Sequence, residues 1–449
     1  MSKDLTQGAI GPWLFRLTTP MVMGIFSIFL FNIVDTYFIS MLGTQPLAAI
    51  SFTFPITMLV MNVAIGLSIA TGALVARSLG QKDLNKAKYW VTCSVYFSLI
   101  IGLILGLAGT AFLDPLFKLL GASDELMPFI QDYMVIWFLG SVCLMMMIII
   151  NASLRATGNT KLPSFIMLGS ALLNGILDPL LIFGIGPFPR LEVQGAAIAT
   201  LISWVVALAF VLHKLHHDKL IELAFPQQFR DAIKKISSLA IPAAATNMLG
   251  PFASAILIAW VAEYGTHAVA AYGVGSRLEP IALIVIFAFT ASLPPFVGQN
   301  HGAKQYLRIE EALRKSMMFI FVWQLVIYSI LALAAKPLSQ LFSDELEVQK
   351  IIQLFIYIVP LSYIGLGFCL VSTATINALH KTRFSLQINI VRLFVLYLPF
   401  AWLGKEWGGL QGLFIGCAIG NVLIGLAIVL FFRHVRHSQT WQKKLLASD

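Results

Sequence analysis

Two carboxylates stand inside otherwise apolar stretches of this sequence: Asp35 in FLFNIVDTYFISM and Asp178 in SALLNGILDPLLIFG. An ionisable side chain in hydrocarbon surroundings costs several kcal/mol and marks a functional site by default. Asn174 precedes Asp178 by one helical turn and shares its face. If both stretches are helices rising from the same side of a membrane, each acid lies roughly 10 Å below the outer end at 1.5 Å per residue. Thr200 and Tyr133, on helices that enter from the outer side, reach a similar depth. Two carboxylates in one low-dielectric pocket cannot both stay ionised cheaply, so they must share a proton or a cation. That is the chemistry of an H+ or Na+ site. The competing explanation is a buried hydrogen-bonded pair that only locks helices together, and Tyr133 and Thr200, taken singly, suit ordinary packing equally well.

The composition supplies the membrane. Hydrophobic residues make up 58%, charged residues 11%, and the mean hydropathy is +0.85. A water-soluble surface needs about 25% charged residues. Many apolar runs exceed the ~18 residues that cross about 30 Å of hydrocarbon, and they are continuous rather than alternating, which excludes a β-barrel. The net charge of +9 sits in short loops between apolar runs, so it reads as a topology signal, with no nucleic-acid partner. Cys93, Cys143, Cys369 and Cys417 lie in apolar stretches without C-x-x-C spacing and read as packing residues. HKLHH (213–217) reads as a basic flank rather than a metal site. No signal peptide is evident.

Twelve helices are expected, at 13–41, 46–76, 88–112, 127–153, 161–185, 193–214, 236–262, 267–297, 312–335, 350–378, 383–404 and 408–433. Every second loop is basic, from Arg77-Lys82-Lys86-Lys88 to the tail Arg433-Arg436-Lys443-Lys444, and the remaining loops are neutral or acidic. By the positive-inside rule both termini are cytoplasmic. The polar stretch His213–Lys235 divides the chain near its midpoint. It gives an N-terminal lobe at 1–216, a linker at 217–235 and a C-terminal lobe at 236–449.

The lobes repeat. Pro20 matches Pro242 at a shift of 222, and GTQPLAA (43–49) matches GTHAVAA (265–271) at the same shift. LGQ (79–81) and VGQ (297–299), and QGAAIAT (194–200) and QGLFIGC (411–417), match with small slips. Two six-span lobes in the same orientation are related by an axis along the membrane normal, with a path between them, a plan suited to alternating access. The repeat partners of Asp35, Asp178 and Thr200 are Leu257, Phe400 and Cys417, so the second lobe lacks the acidic pair. Arg392 is a possible cleft charge; balancing a charge, snorkelling or a structural partner fit it as well. Glu263 and Glu279 are expected at the membrane interface. Pro20 removes a backbone hydrogen bond inside the first helix, consistent with a hinge driven by protonation of Asp35, or with a static kink.

Taken together, LVARSLGQKD (74–83), NASLRATGNTKLP (151–163), NGILDPLLIFG (174–184), QGAAIAT (194–200) and the paired GT motifs resemble the MATE family over nearly the whole chain. An acid-bearing first lobe and acid-poor second lobe resemble its DinF-type branch. The resemblance implies an all-α membrane protein with a V-shaped cleft, acting as a monomeric, multi-pass antiporter of a bacterial inner membrane. It implies export of amphipathic, often cationic drugs driven by H+ or Na+, with Asp35, Asn174, Asp178 and Thr200 as the cation site and no cofactor. Membrane lipids are the remaining expected partner. The rival within the superfamily is a flippase or exporter of a lipid-linked or amphipathic metabolite. No H-E-x-x-H, G-x-S-x-G or paired-Cys constellation suggests an enzyme.

Overall fold

The computed structural model describes residues 3–222 and 224–437; Lys443 and Lys444 of the expected basic tail lie outside the described residues. The first half runs α1 (Ile10–Ser40), α2 (Thr44–Gly80), α3 (Leu84–Ala111), a short α4 (Leu113–Leu119), α5 (Met127–Ala156), α6 (Lys161–Phe183) and α7 (Glu192–His217). The second runs α8 (Phe229–Ala262), α9 (Thr266–Ala282), α10 (Ile284–Gly302), α11 (Tyr306–Leu333), a short α12 (Ala335–Phe342), α13 (Leu346–Ile358), α14 (Tyr363–Ala378), α15 (Thr382–Ile390) and α16 (Leu398–His437).

Three spans expected as uninterrupted helices are broken. α9 and α10 form one span bent by 42°, just after Pro280. A 3-10 turn at Pro360–Ser362 separates α13 from α14. A proline removes an amide from the helical ladder, which accounts for both breaks. Between α15 and α16, Val391–Tyr397 is π-helical, a wide turn common at functional positions. α16 is two spans. Gly408 (φ −137°, ψ 17°) and Gly409 (φ 58°, ψ −143°) leave the helix, and the chain doubles back on itself. A Cβ on Gly404 would lie 2.0 Å from the Gly412 carbonyl oxygen, and one on Gly416 the same distance from that of Phe400. With the bent pair counted as one span and the doubled-back helix as two, the described residues hold twelve stretches long and apolar enough to cross a membrane.

The regions 113–126 and 336–349 were expected as loops, yet each carries a short helix. Their apolar faces are too brief for a periodic signal: Leu113 and Phe117 are buried in α4, Ala335 and Ser339 in α12. Those pairs are again 222 apart. So are the starts of α2 and α9, at Thr44 and Thr266, and the ends of α2 and α10, at Gly80 and Gly302. Left-handed residues repeat too: Lys82 (φ 61°) and Lys304 (φ 59°), Gly158 (φ 80°) and His380 (φ 66°). α8 begins seven residues before the expected position 236, shortening the linker, because Ala232, Ile236, Leu239 and Ala240 form a helical stripe buried against α2, α3 and α5.

The pseudo-two-fold axis passes between α2 and α10. A Cβ on Gly80 would lie 1.9 Å from the Gln299 carbonyl oxygen; reciprocally, one on Gly302 would lie 2.1 Å from that of Arg77. Only glycine permits this approach. The lobes are joined at the basic end of the spans. Gly66 of α2 abuts Ala240 and Ala244 of α8, Thr18 and Ser292 share a hydrogen bond of 2.8 Å, and the start of α1 packs into the C-terminal core through Leu14 and Leu17. The segment before α1 straps the seam: Leu5 is buried, its amide donates to Gln299 Oε1 (2.9 Å), and its carbonyl accepts from Asn300 (3.2 Å). Arg308 donates to the Gly8 carbonyl at 2.9 Å. Toward the other end each lobe closes on its own core, as Ile39, Ala49 and Val60 pack with α5 and α7. The lobes therefore diverge from a sealed basic end into a V-shaped cleft.

Candidate functional site

Helices α1 and α6 run parallel, in a fixed register. Ser164 donates to the sulfur of Met21, a Cβ on Gly175 would touch Val34 at 3.8 Å, and the Phe38 and Phe183 rings meet edge to face at 6.2 Å. That register sets Asp35 level with Asp178, as their depths in the sequence predict. α7 crosses α6 so closely that a Cβ on Gly195 would lie 2.5 Å from the Leu181 carbonyl oxygen. One turn and a half further along, Thr200 comes opposite Asn174, whose amide nitrogen donates to its hydroxyl at 3.2 Å.

The pocket is dry. Asp178 is 0% exposed, Asn174 1%, Thr200 3% and Tyr133 8%. Asp35 and Asp178 lie within range of each other's charge, and Tyr133 within range of both. Asn174 sits beside the Asp178 carboxyl, but its nitrogen is directed to Thr200. Both Asp178 oxygens, Asp35 Oδ1 and Asn174 Oδ1 are buried without a hydrogen-bond partner. Orphaned buried oxygens cost ~1–3 kcal/mol each, more when charged. Four such oxygens around one space, with no cationic side chain among the five residues, are what a proton or a hard cation would satisfy. All five residues expected at the site come together, and neither acid faces lipid.

Pro20 is half-buried within α1, which continues through it to Ser40. Glu263 is at the surface as expected, accepting from Lys405 Nζ at 2.7 Å. Glu279 is not. It lies about thirteen residues beyond the start of α9, roughly 20 Å deep, and the Tyr363 hydroxyl donates to its Oε2 at 3.3 Å. Arg392, on the π-helical turn, lies within electrostatic range of Glu279 and beside the Cys369 thiol. Tyr272, Tyr397 and Cys417 complete this second cluster. Glu279 lies near the middle of the expected span 267–297, so its depth was already implied by the span's bounds. A continuous apolar run from Gly265 onward was the available signal, and it also contains Arg277.

A family model, MatE, matches residues 20–180 and 242–403, one block in each lobe. The chain belongs to the MATE family of membrane transporters. Among curated MATE relatives, the FAD transporter of Shewanella oneidensis is 42% identical over 426 residues, covering 94% of each chain. The multidrug export protein MepA of Staphylococcus aureus is 27% identical over 431 residues, covering 95% of this chain and 94% of its own. The crystal structure of the Vibrio cholerae MATE transporter VcmN in the bent form superposes with a TM-score of 0.92 at 34% identity, over 96% of this chain and 98% of VcmN.

Proposed function

We propose that this MATE transporter exports amphipathic small molecules from the cytoplasm of a bacterium by alternating access, driven by protons taken up at Asp35 and Asp178. The observation that carries the coupling is the buried set of unpartnered oxygens on Asp35, Asn174 and Asp178. The pocket contains no side-chain cation to neutralise it, so each transport cycle can load it with H+ from the open cleft and release it on the other side. The same oxygens suit Na+ as the alternative ion. Pro20 leaves the Arg16 carbonyl of α1 without its helical donor, giving the helix that carries Asp35 a point at which to bend. A solved relative is described in a bent form. The acid-bearing first lobe supports assignment to the DinF-type branch, and the reading includes cytoplasmic termini and a monomer acting in the inner membrane.

For the cargo, the relative named FAD transporter at 42% identity favours a flavin nucleotide, an amphipathic metabolite. The relative named MepA at 27% supports drugs as additional substrates. The test is export from reconstituted vesicles of FAD and of ethidium, under H+ and Na+ gradients imposed separately. Export of FAD that follows the H+ gradient and vanishes in Asp178→Asn supports the reading. Export driven equally well in Asp35→Asn and Asp178→Asn refutes the coupling site.

A further inference from the structure

Arg277 is an exposed residue in the middle of a span, and no described residue forms an ion pair with it. It lies eleven residues beyond Thr266, the first residue of α9, hence roughly 16 Å along the helix, half of the ~30 Å hydrocarbon thickness. Arg277 makes no hydrogen bond or ion pair with any described residue. The other arginine at this depth, Arg392, differs: it is half-buried and faces Glu279. Glu279 cannot serve both. It follows Arg277 by two residues, about 200° around the helix, and points into the lobe.

The face of α9 that carries Arg277 must meet water. Ala268, Ala271, Gly275 and Ala282 form the buried stripe, with Ala271 set against α13. Thr266, Ala270, Arg277 and the apolar Ile281 form the exposed one, flanked by Val269 and Ser276, and a Cβ added to Gly273 between them would touch nothing. A guanidinium facing lipid at this depth, too far from either surface to reach it, would cost several kcal/mol. The open cleft is the available aqueous space. At the equivalent position of α2 stands Pro55, also exposed and uncharged, so the cleft charge belongs to the C-terminal wall alone.

We propose that Arg277 is the anion-recognition residue of the cleft and binds the phosphate groups of a flavin nucleotide during export. The assignment rests on the flavin reading given above. Guanidinium groups present a planar fork that matches phosphate oxygens in pairs and stacks on flat aromatic rings. An unbalanced cation midway through the cleft attracts a phosphate-bearing substrate and disfavours a cationic one. The proton pocket of the first lobe remains separate, so one chain can select cargo on one wall and couple ions on the other.

The test compares wild type, Arg277→Gln and Arg277→Lys as full-length protein in nanodiscs, titrated with FAD, FMN and phosphate-free riboflavin by fluorescence, with inorganic pyrophosphate as competitor. Export of FAD and ethidium is measured in parallel in proteoliposomes. FAD and FMN should bind wild type at least about tenfold more tightly than riboflavin, the scale of one charge-assisted bidentate contact, and pyrophosphate should displace them. In Arg277→Gln that preference should disappear and the ratio of FAD to ethidium export should fall about tenfold; Arg277→Lys should recover part of each. Equal losses for riboflavin and FAD would mean a structural role and overturn the assignment. So would a full phosphate preference in Arg277→Gln. Wild type that exports ethidium but neither binds nor exports FAD sinks the flavin reading itself, and the assignment with it.

Discussion

The two lobes share one backbone plan and differ in how they hold charge. In the N-terminal lobe, Asp35 and Asp178 face one another with unpartnered oxygens and no cation. In the C-terminal lobe, Glu279 has a tyrosine donor and a guanidinium in range. The first arrangement is incomplete without something taken from solution, whereas in the second the acid already has a hydrogen-bond donor and an arginine in electrostatic range, although Arg392 Nε is itself without a partner. Equivalent positions did not keep equivalent chemistry: Glu279 corresponds by the 222-residue repeat to Thr57, and Arg392 to Ser170. Repetition therefore preserved the backbone frame, while substitution left an unpartnered acid pair in one half and a tyrosine-bonded glutamate with an arginine in range in the other.

The sharpest way to break this contrast is Asp178→Asn. Gradient-driven export should fall by at least about tenfold, as expected when a positioned proton-transfer group is removed. Thermal stability should nevertheless rise by roughly 1–3 kcal/mol, because an uncompensated buried carboxyl is replaced by a neutral group. Transport in vesicles and melting in detergent check the two halves of that statement; a fall in both would mean that the acid is structural.

Arg392→Ala should act in the opposite sense. It leaves Glu279 without its balancing charge and should destabilise the protein by ~3–5 kcal/mol, with the double variant Arg392→Ala/Glu279→Gln recovering most of the loss in the same melting assay. A single variant as stable as the double one would show that Glu279 does not depend on the charge of Arg392.

Gly80→Ala and Gly302→Ala test the shared frame. Each places a methyl group against a backbone carbonyl of the other lobe, so each should cost about 1–3 kcal/mol, and the two costs should agree because the contact is reciprocal. Clearly unequal costs would show that the axis is not where these glycines put it. The smallest effect concerns the prolines. Pro20→Ala should slow FAD export severalfold, whereas Pro242→Ala, on a helix whose one acid, Asp231, lies exposed in the first turn, should leave the rate within about twofold; both differ from wild type by only ~1 kcal/mol or less in stability.

Much of this was readable beforehand because the bilayer enforces it. Span count, lobe division and the level of Asp35 with Asp178 follow from hydropathy, loop charge and helical rise. What escaped was local or relational. The short helices at 113–119 and 335–342 bury only two residues each in a single turn. The bend at Leu283 follows Pro280, but a proline within an apolar run does not by itself fix the bend angle, and the π-helical turn at 391–397 contains no proline to announce it. Glu279 was misplaced because partners of Asp35 and Asp178 were sought at repeat positions, and a charge that has migrated off the repeat leaves no such mark. Arg277 lay within an expected span, where its meaning depended on which side of α9 is open.

The strap formed by Leu5 across the seam also bears on how the protein is handled. Its amide and carbonyl reach Gln299 and Asn300 of the opposite lobe, so the lobes cannot part at the basic end without breaking those bonds. A bulky affinity tag fused just ahead of Lys3 would loosen the strap and bias the carrier toward the state that admits cargo. A fluorophore attached there would dim or brighten once per turnover, turning the leading residues into a natural clock for the cycle.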